Sequence, residues 1–127
     1  MASAQDKVDQ FDGLWNVSVT CADIKDKGSL VKGYTLTFQV NVRGGQLEGE
    51  YTRPGAPEAL RYSGTIQADG KAHIQATGKT GDPGHSLGHV APGRPYTYQL
   101  DGTFAGNTGQ AVRRELRPCT ASFTKTL

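Results

Sequence analysis

An all-β fold, an eight-stranded antiparallel up-and-down barrel, is what this 127-residue sequence predicts, and three observations carry it. Apolar and polar residues alternate over most of the chain, as in half-buried strands. Glycine-rich links punctuate the alternating runs. The runs number eight, enough for a small sheet to close on itself and leave no edge. Seventeen glycines beside 35% hydrophobic residues fit many turns and strands, not helices.

The first strand is "LWNVSVTC", with Trp15, Val17, Val19 and Cys21 on one face and Asn16, Ser18 and Thr20 on the other. "GYTLTFQVNVR" repeats the pattern through Tyr34, Leu36, Phe38, Val40 and Val42, and Gly44-Gly45 turns it into "QLEGEYT". "ALRYSGTIQA" points Leu60, Tyr62, Gly64 and Ile66 inward, and Asp69-Gly70 links it to "KAHIQATG". "YTYQLDGTFA" points Tyr96, Tyr98, Leu100 and Phe104 inward, "GNTG" turns it, and "QAVRREL" and "CTASFTK" complete the eight. In a closed barrel the first and last strands are antiparallel neighbours, which brings Cys21 and Cys119 together in one inward register. A disulfide at this seam fits an exported protein; two buried free thiols are the alternative.

The two ends of such a barrel differ. The links after strands two, four and six are minimal turns. Those after strands one, three and five are longer: Ala22 to Lys32, "RPGAPE", and "KTGDPGHSLGHVAPGRP" from Lys79 to Pro95. Variable loops on a rigid scaffold are where binding concentrates, and a barrel mouth is a favoured site. Toward the tight turns the inward set is Trp15, Val42, Leu47, Ile66, Phe104, Val112 and Phe123, an apolar plug. Toward the long loops it is Tyr34, Tyr51, Tyr62, Tyr96 and Tyr98, with small Ala76 and Gly78 between them. Tyrosines there either line a cavity for an amphipathic small molecule or fill the barrel themselves.

With Val112 and Leu116 inward, Arg114 points inward too, while Arg113, Glu115 and Arg117 face solvent. A buried guanidinium needs an anion, carbonyls or an aromatic face, so Arg114 is read either as packing over a tyrosine or as an anion-binding group. A bulge near Gly109 would shift this register. On the longest loop, His85, His89 and Arg94 are candidate rim residues. His85 and His89 are four apart with Asp82 nearby, but glycines and prolines deny them a helical face, so solvated loop residues are expected and no metal site.

No nucleophile elbow, phosphate-binding loop or Cys-His arrangement is present, so a non-enzymatic protein without a cofactor is expected. A formal charge of +2 without a basic stripe argues against nucleic-acid binding, and no run of 18 apolar residues offers a membrane span. Residues 1–10 read as a flexible N-terminal segment, with "ASA" either the remnant of an export signal or an ordinary terminus, ahead of one barrel domain over 11–127. Location in the periplasm or outside the cell is expected.

At "GLW", Gly13 to Trp15, the chain resembles the calycin group of barrels, which includes lipocalins, avidins and bacterial metalloprotease inhibitors. The rhythm of "LTFQVNVRGGQLEGEYT" is similar to the second and third strands of avidins. The resemblance implies a basic side chain near the end of the last strand packed against the tryptophan, with Lys125 the candidate. Avidins grip biotin with several tryptophans, whereas Trp15 stands alone here, so biotin is not the expected ligand. The inhibitor branch implies insertion of an N-terminal segment into a protease cleft, for which "QDKVDQFD", Gln5 to Asp12, is the corresponding stretch. The expected partner is thus a small amphipathic or anionic ligand at the tyrosine-lined mouth, or else a protein met by the rim loops or this segment.

Overall fold

The computed structural model describes residues 9–52 and 54–126, and strands account for most of them. They are β1 (Gly13–Cys21), β2 (Ile24–Asp26), β3 (Ser29–Val31), β4 (Tyr34–Arg43), β5 (Gln46–Thr52), β6 (Ala59–Ile66), β7 (Lys71–Lys79), β8 (Pro95–Ala105), β9 (Thr108–Arg113) and β10 (Cys119–Lys125). Eight of them close a barrel in the order β1-β10-β9-β8-β7-β6-β5-β4, as the alternation predicts. The other two, β2 and β3, form a small hairpin inside the first long link. At three residues each they are too short to show a readable alternation. Single turns of 3-10 helix occur at Asp9–Phe11, Pro83–His85 and Leu87–His89.

The closed end is built by the minimal turns. Gly44 and Gly45 both have left-handed φ angles, 57° and 80°, the backbone a tight hairpin requires and glycine adopts freely. Neighbouring turns are tied together: the Ile66 amide donates to the Gly45 carbonyl, Phe104 to Gly70, and Lys125 to Asn107. Beneath them Trp15 is buried with Phe11, Phe104 and Phe123. Trp15 and Phe104 meet edge-to-face at 5.1 Å, and the indole Nε1 donates to the Phe11 carbonyl at 2.9 Å. Lys125 stands directly across from Trp15 in the β1–β10 register. Of the stretch Gln5 to Asp12, residues 5–8 lie outside the described residues, as do 1–4. Asp9 and Gln10 belong to the 3-10 turn that delivers Phe11 to the core.

Cys21 and Cys119 face each other across the β1–β10 seam and form a disulfide. The seam register holds over the whole length of β10, from Lys125 against Trp15 to Cys119 against Cys21.

Strand β9 differs from its expected register. Its turn is the pair Gly106-Asn107, shorter than "GNTG", and the strand already begins at Thr108. Phe104 pairs with Gly109 and Gly102 with Ala111, so Gly109, Ala111 and Arg113 point inward. Val112 faces outward, half-buried, and Arg114 is exposed beyond the strand end. The cause is the Phe104 ring. It covers Gly109 so closely that a Cβ there would lie 2.6 Å from the ring. The bulky apolar residue of the strand, Val112, therefore takes the outer face, and a slip of one position reverses every side chain after it. Leu116, expected inside, is 82% exposed.

Candidate functional site: a cavity at the open end

The opposite end carries the β2–β3 hairpin, the link between β5 and β6, the loop between β7 and β8, and Arg114 to Pro118. Between them lies a cavity of about 420 Å³. Its aromatic walls are Tyr34, Tyr51 and Tyr96, joined by Leu36, Leu87 and Val90. Each tyrosine follows from strand parity: Tyr34 begins β4, Tyr51 lies near the end of β5, and Tyr96 near the start of β8. Gly78, directly across from Tyr96 on β7, has no side chain, and the Tyr96 ring lies over that gap.

Tyr62 and Tyr98 sit lower. Tyr62 is fully buried against Phe38 at 5.1 Å, and Tyr98 is 4% exposed, stacked parallel to Tyr96. Their hydroxyls face one another without reaching hydrogen-bond geometry with any described group. Burial pushes the Tyr98 phenol up to about 12, opposed by Arg113 and Arg117, and raises Tyr34, Tyr62 and Tyr96 by the same cause. All four are neutral hydroxyls at physiological pH. The tyrosines thus divide between the two sequence readings: three line a cavity, and two fill the barrel below it.

The cations of the site are Arg113 and Arg117, not Arg114. Arg113 is 8% exposed, its guanidinium 4.2 Å above the Tyr98 ring and its Nε donating to the Glu115 carbonyl. Arg117 is 3% exposed; its Nη1 donates to the His85 carbonyl at 2.7 Å and its Nη2 to the Lys32 carbonyl at 2.8 Å. Its Nε has no acceptor among the described residues. Burial lowers the Arg117 pKa, and Tyr34 and Asp23 act in the opposite sense. Strand parity does not find this pair: hydrophobicity misplaces β9, and residues 114–118 between β9 and β10 are not strand.

The loop from Lys79 to Pro95 is a fixed roof. Asp82 accepts from the Gly84 amide and starts the first 3-10 turn. The Lys32 amide donates to the Gly84 carbonyl, and the Gly88 amide to Asp26 Oδ2. Thr80 ties the two stems, its hydroxyl donating to Ala91 and accepting from the Arg94 amide. His85, expected as solvated, is half-buried with its Nδ1 3.0 Å from the Gly33 carbonyl. His89 is exposed, and its Nε2 reaches the Leu30 carbonyl at 3.0 Å. Both histidines dock the roof onto the β2–β3 region. Arg94 is exposed on the rim and still lines the cavity, beside Lys79, Glu58 and Asp82. Among the described residues no three His, Cys, Asp or Glu side chains gather as metal ligands, and no helix is long and apolar enough to cross a membrane.

Compared with family models, curated proteins and solved structures, the chain gives no match.

Proposed function

We propose that this protein is an exported, calycin-like binding barrel that takes a small amphipathic molecule at its open end and performs no chemistry on it. The observation that carries the reading is the roofed cavity of about 420 Å³, within the range of small-molecule sites, with tyrosine faces on its walls and guanidinium groups among them. The cavity's own His85 and Ser86 are engaged with the carbonyls of Gly33 and Asp82, which favours binding over acid–base work. Export is supported by the disulfide, which persists in oxidising compartments. The calycin-like assignment is supported by the closed meander with Trp15 opposite Lys125 at its sealed end.

The reading is tested by thermal-shift screening of a metabolite mixture, with each hit repeated on Tyr96→Ala. Tyr96 is chosen because it lines the cavity without being part of the fully buried core. Stabilisation that survives unchanged in the variant sinks the site. A second reading, docking of a protein on the rim, is favoured by Leu30 and Leu116, 52% and 82% exposed in the links of this end. It gains if no small molecule shifts the melt while Leu116→Ser abolishes capture of a purified protein partner.

A further inference from the structure

We infer that the open-end cavity selects a planar aromatic carboxylate, held with its acid group down against Arg113 and Arg117 and its ring against Tyr34 and Tyr96. This rests on the reading of the open end as a small-molecule site and adds the class and orientation of the ligand.

Two buried cations carry the argument. Arg113 and Arg117 are each more than nine-tenths buried and both line the cavity. A guanidinium removed from water is costly unless an anion meets it. Here the protein supplies neutral carbonyls and ring faces: Glu115 and Tyr98 for Arg113, Lys32, His85 and Tyr34 for Arg117. Asp23 attracts Arg117 from a distance, but neither arginine forms an ion pair with a carboxylate among the described residues. Lys79 and Arg94 add two cations to the lining, against two carboxylates, Glu58 and Asp82. Asp82 is already turned to the Gly84 amide. The field of the cavity therefore favours a negative guest.

The unused donors call for an acid group. Arg117 has its Nε left over, and Arg113 bonds to the described residues only through its Nε, leaving its Nη groups. The unused N–H groups of the two forks suit the two oxygens of a carboxylate. A phosphate dianion carries more charge to strip of water on entering walls that are largely aromatic and aliphatic. The walls select the rest of the molecule. Tyr34, Tyr96, Leu36 and Leu87 present flat or aliphatic surfaces, and an aromatic body gains contact area and ring packing there at little entropic cost.

The test uses 2-naphthoate and 2-naphthamide, which share size and ring and differ in charge, titrated into the full chain by calorimetry. Naphthoate is expected to bind at least about tenfold more tightly, a preference set by the desolvated charge pair. Arg113→Gln should erase that preference by weakening naphthoate far more than naphthamide, whose neutral carbonyl loses one donor while its ring contacts remain. Arg117 is left intact because it ties the hairpin to the roof. If Arg113→Gln does not fold, Arg113→Lys carries the test: it keeps the charge, loses the fork, and should cut the preference about threefold or more. Equal affinities for the two probes, both weakened by Tyr96→Ala, overturn the carboxylate inference and leave the small-molecule site standing. A preference untouched by Arg113→Gln but lost in Lys79→Gln or Arg94→Gln assigns it to the rim and also overturns the inference. Binding of neither probe overturns it together with the reading beneath it.

Discussion

The Arg113 guanidinium lies 4.2 Å above the centre of the Tyr98 ring, and this contact forms the boundary between the packed core and the cavity. Below it, Tyr98 joins Tyr62 and the aromatic plug; above it, Tyr34, Tyr51 and Tyr96 enclose open volume. The contact exists because β9 places its odd-numbered residues inside. A cation over an aromatic face is worth about 0.5–2 kcal/mol, which offsets only part of the cost of burying it.

Adjacent arginines should therefore differ sharply. Arg114→Ala removes an exposed side chain and should leave the unfolding free energy from urea curves within about 0.5 kcal/mol of the parent. Arg117→Ala leaves the carbonyls of Lys32 and His85 without their donor and should cost about 2–4 kcal/mol. Similar losses in both variants would contradict the observed register.

The same register is tested from the closed end. A methyl group at Gly109 has nowhere to go, because its Cβ would sit 2.6 Å from the Phe104 ring. Gly109→Ala should destabilise by about 1–3 kcal/mol in chemical denaturation, as overpacked cores do. Were position 109 outward, the same change would be neutral or mildly stabilising.

The scaffold was legible because strand parity is a strong, repeated signal. Trp15, Val17, Val19 and Cys21 set it in β1, and Cys119, Ala121 and Phe123 answer it in β10, so the seam and its disulfide followed. Strand β9 was not legible, because its inner face carries Gly109 and Ala111 while Val112 lies outside. There hydrophobicity points the wrong way, and only the volume of Phe104 corrects it. The roles of His85 and His89 were hidden for another reason. Their acceptors are backbone carbonyls of Gly33 and Leu30, more than fifty residues away, and no side-chain pattern encodes such a contact. The hairpin β2–β3 leaves no signal in the sequence, because strands of three residues make no period.

The disulfide joins residues separated by 98 positions, and cross-linking so long a loop constrains the unfolded chain by about 4–5 kcal/mol in the loop-entropy account. Reduction should lower the free energy of unfolding by about 2–5 kcal/mol, read from urea curves with and without a phosphine reductant. Because β10 is paired with β1 along its whole length, circular dichroism of the reduced chain should retain the β signature. An unchanged midpoint on reduction would contradict the expected contribution of the cross-link.

Buried tyrosines make the protein sensitive to alkali. Burial raises Tyr34, Tyr62 and Tyr96 and pushes Tyr98 up to about 12, against about 10 for a tyrosine in an unfolded chain. Below pH 10 both states hold these protons, and the full stability is present. As the pH climbs from about 10 to about 12, the unfolded chain releases protons that the barrel retains, so unfolding becomes easier. Tyr98 alone should cost about 2–3 kcal/mol across that window. The expected result is a steep rise in phenolate ultraviolet absorbance that coincides with loss of the β circular dichroism, because most of the phenols ionise only when the barrel opens. A gradual titration centred near pH 10 with the dichroism intact would show that the phenols meet solvent freely, and would contradict the packed floor beneath the cavity.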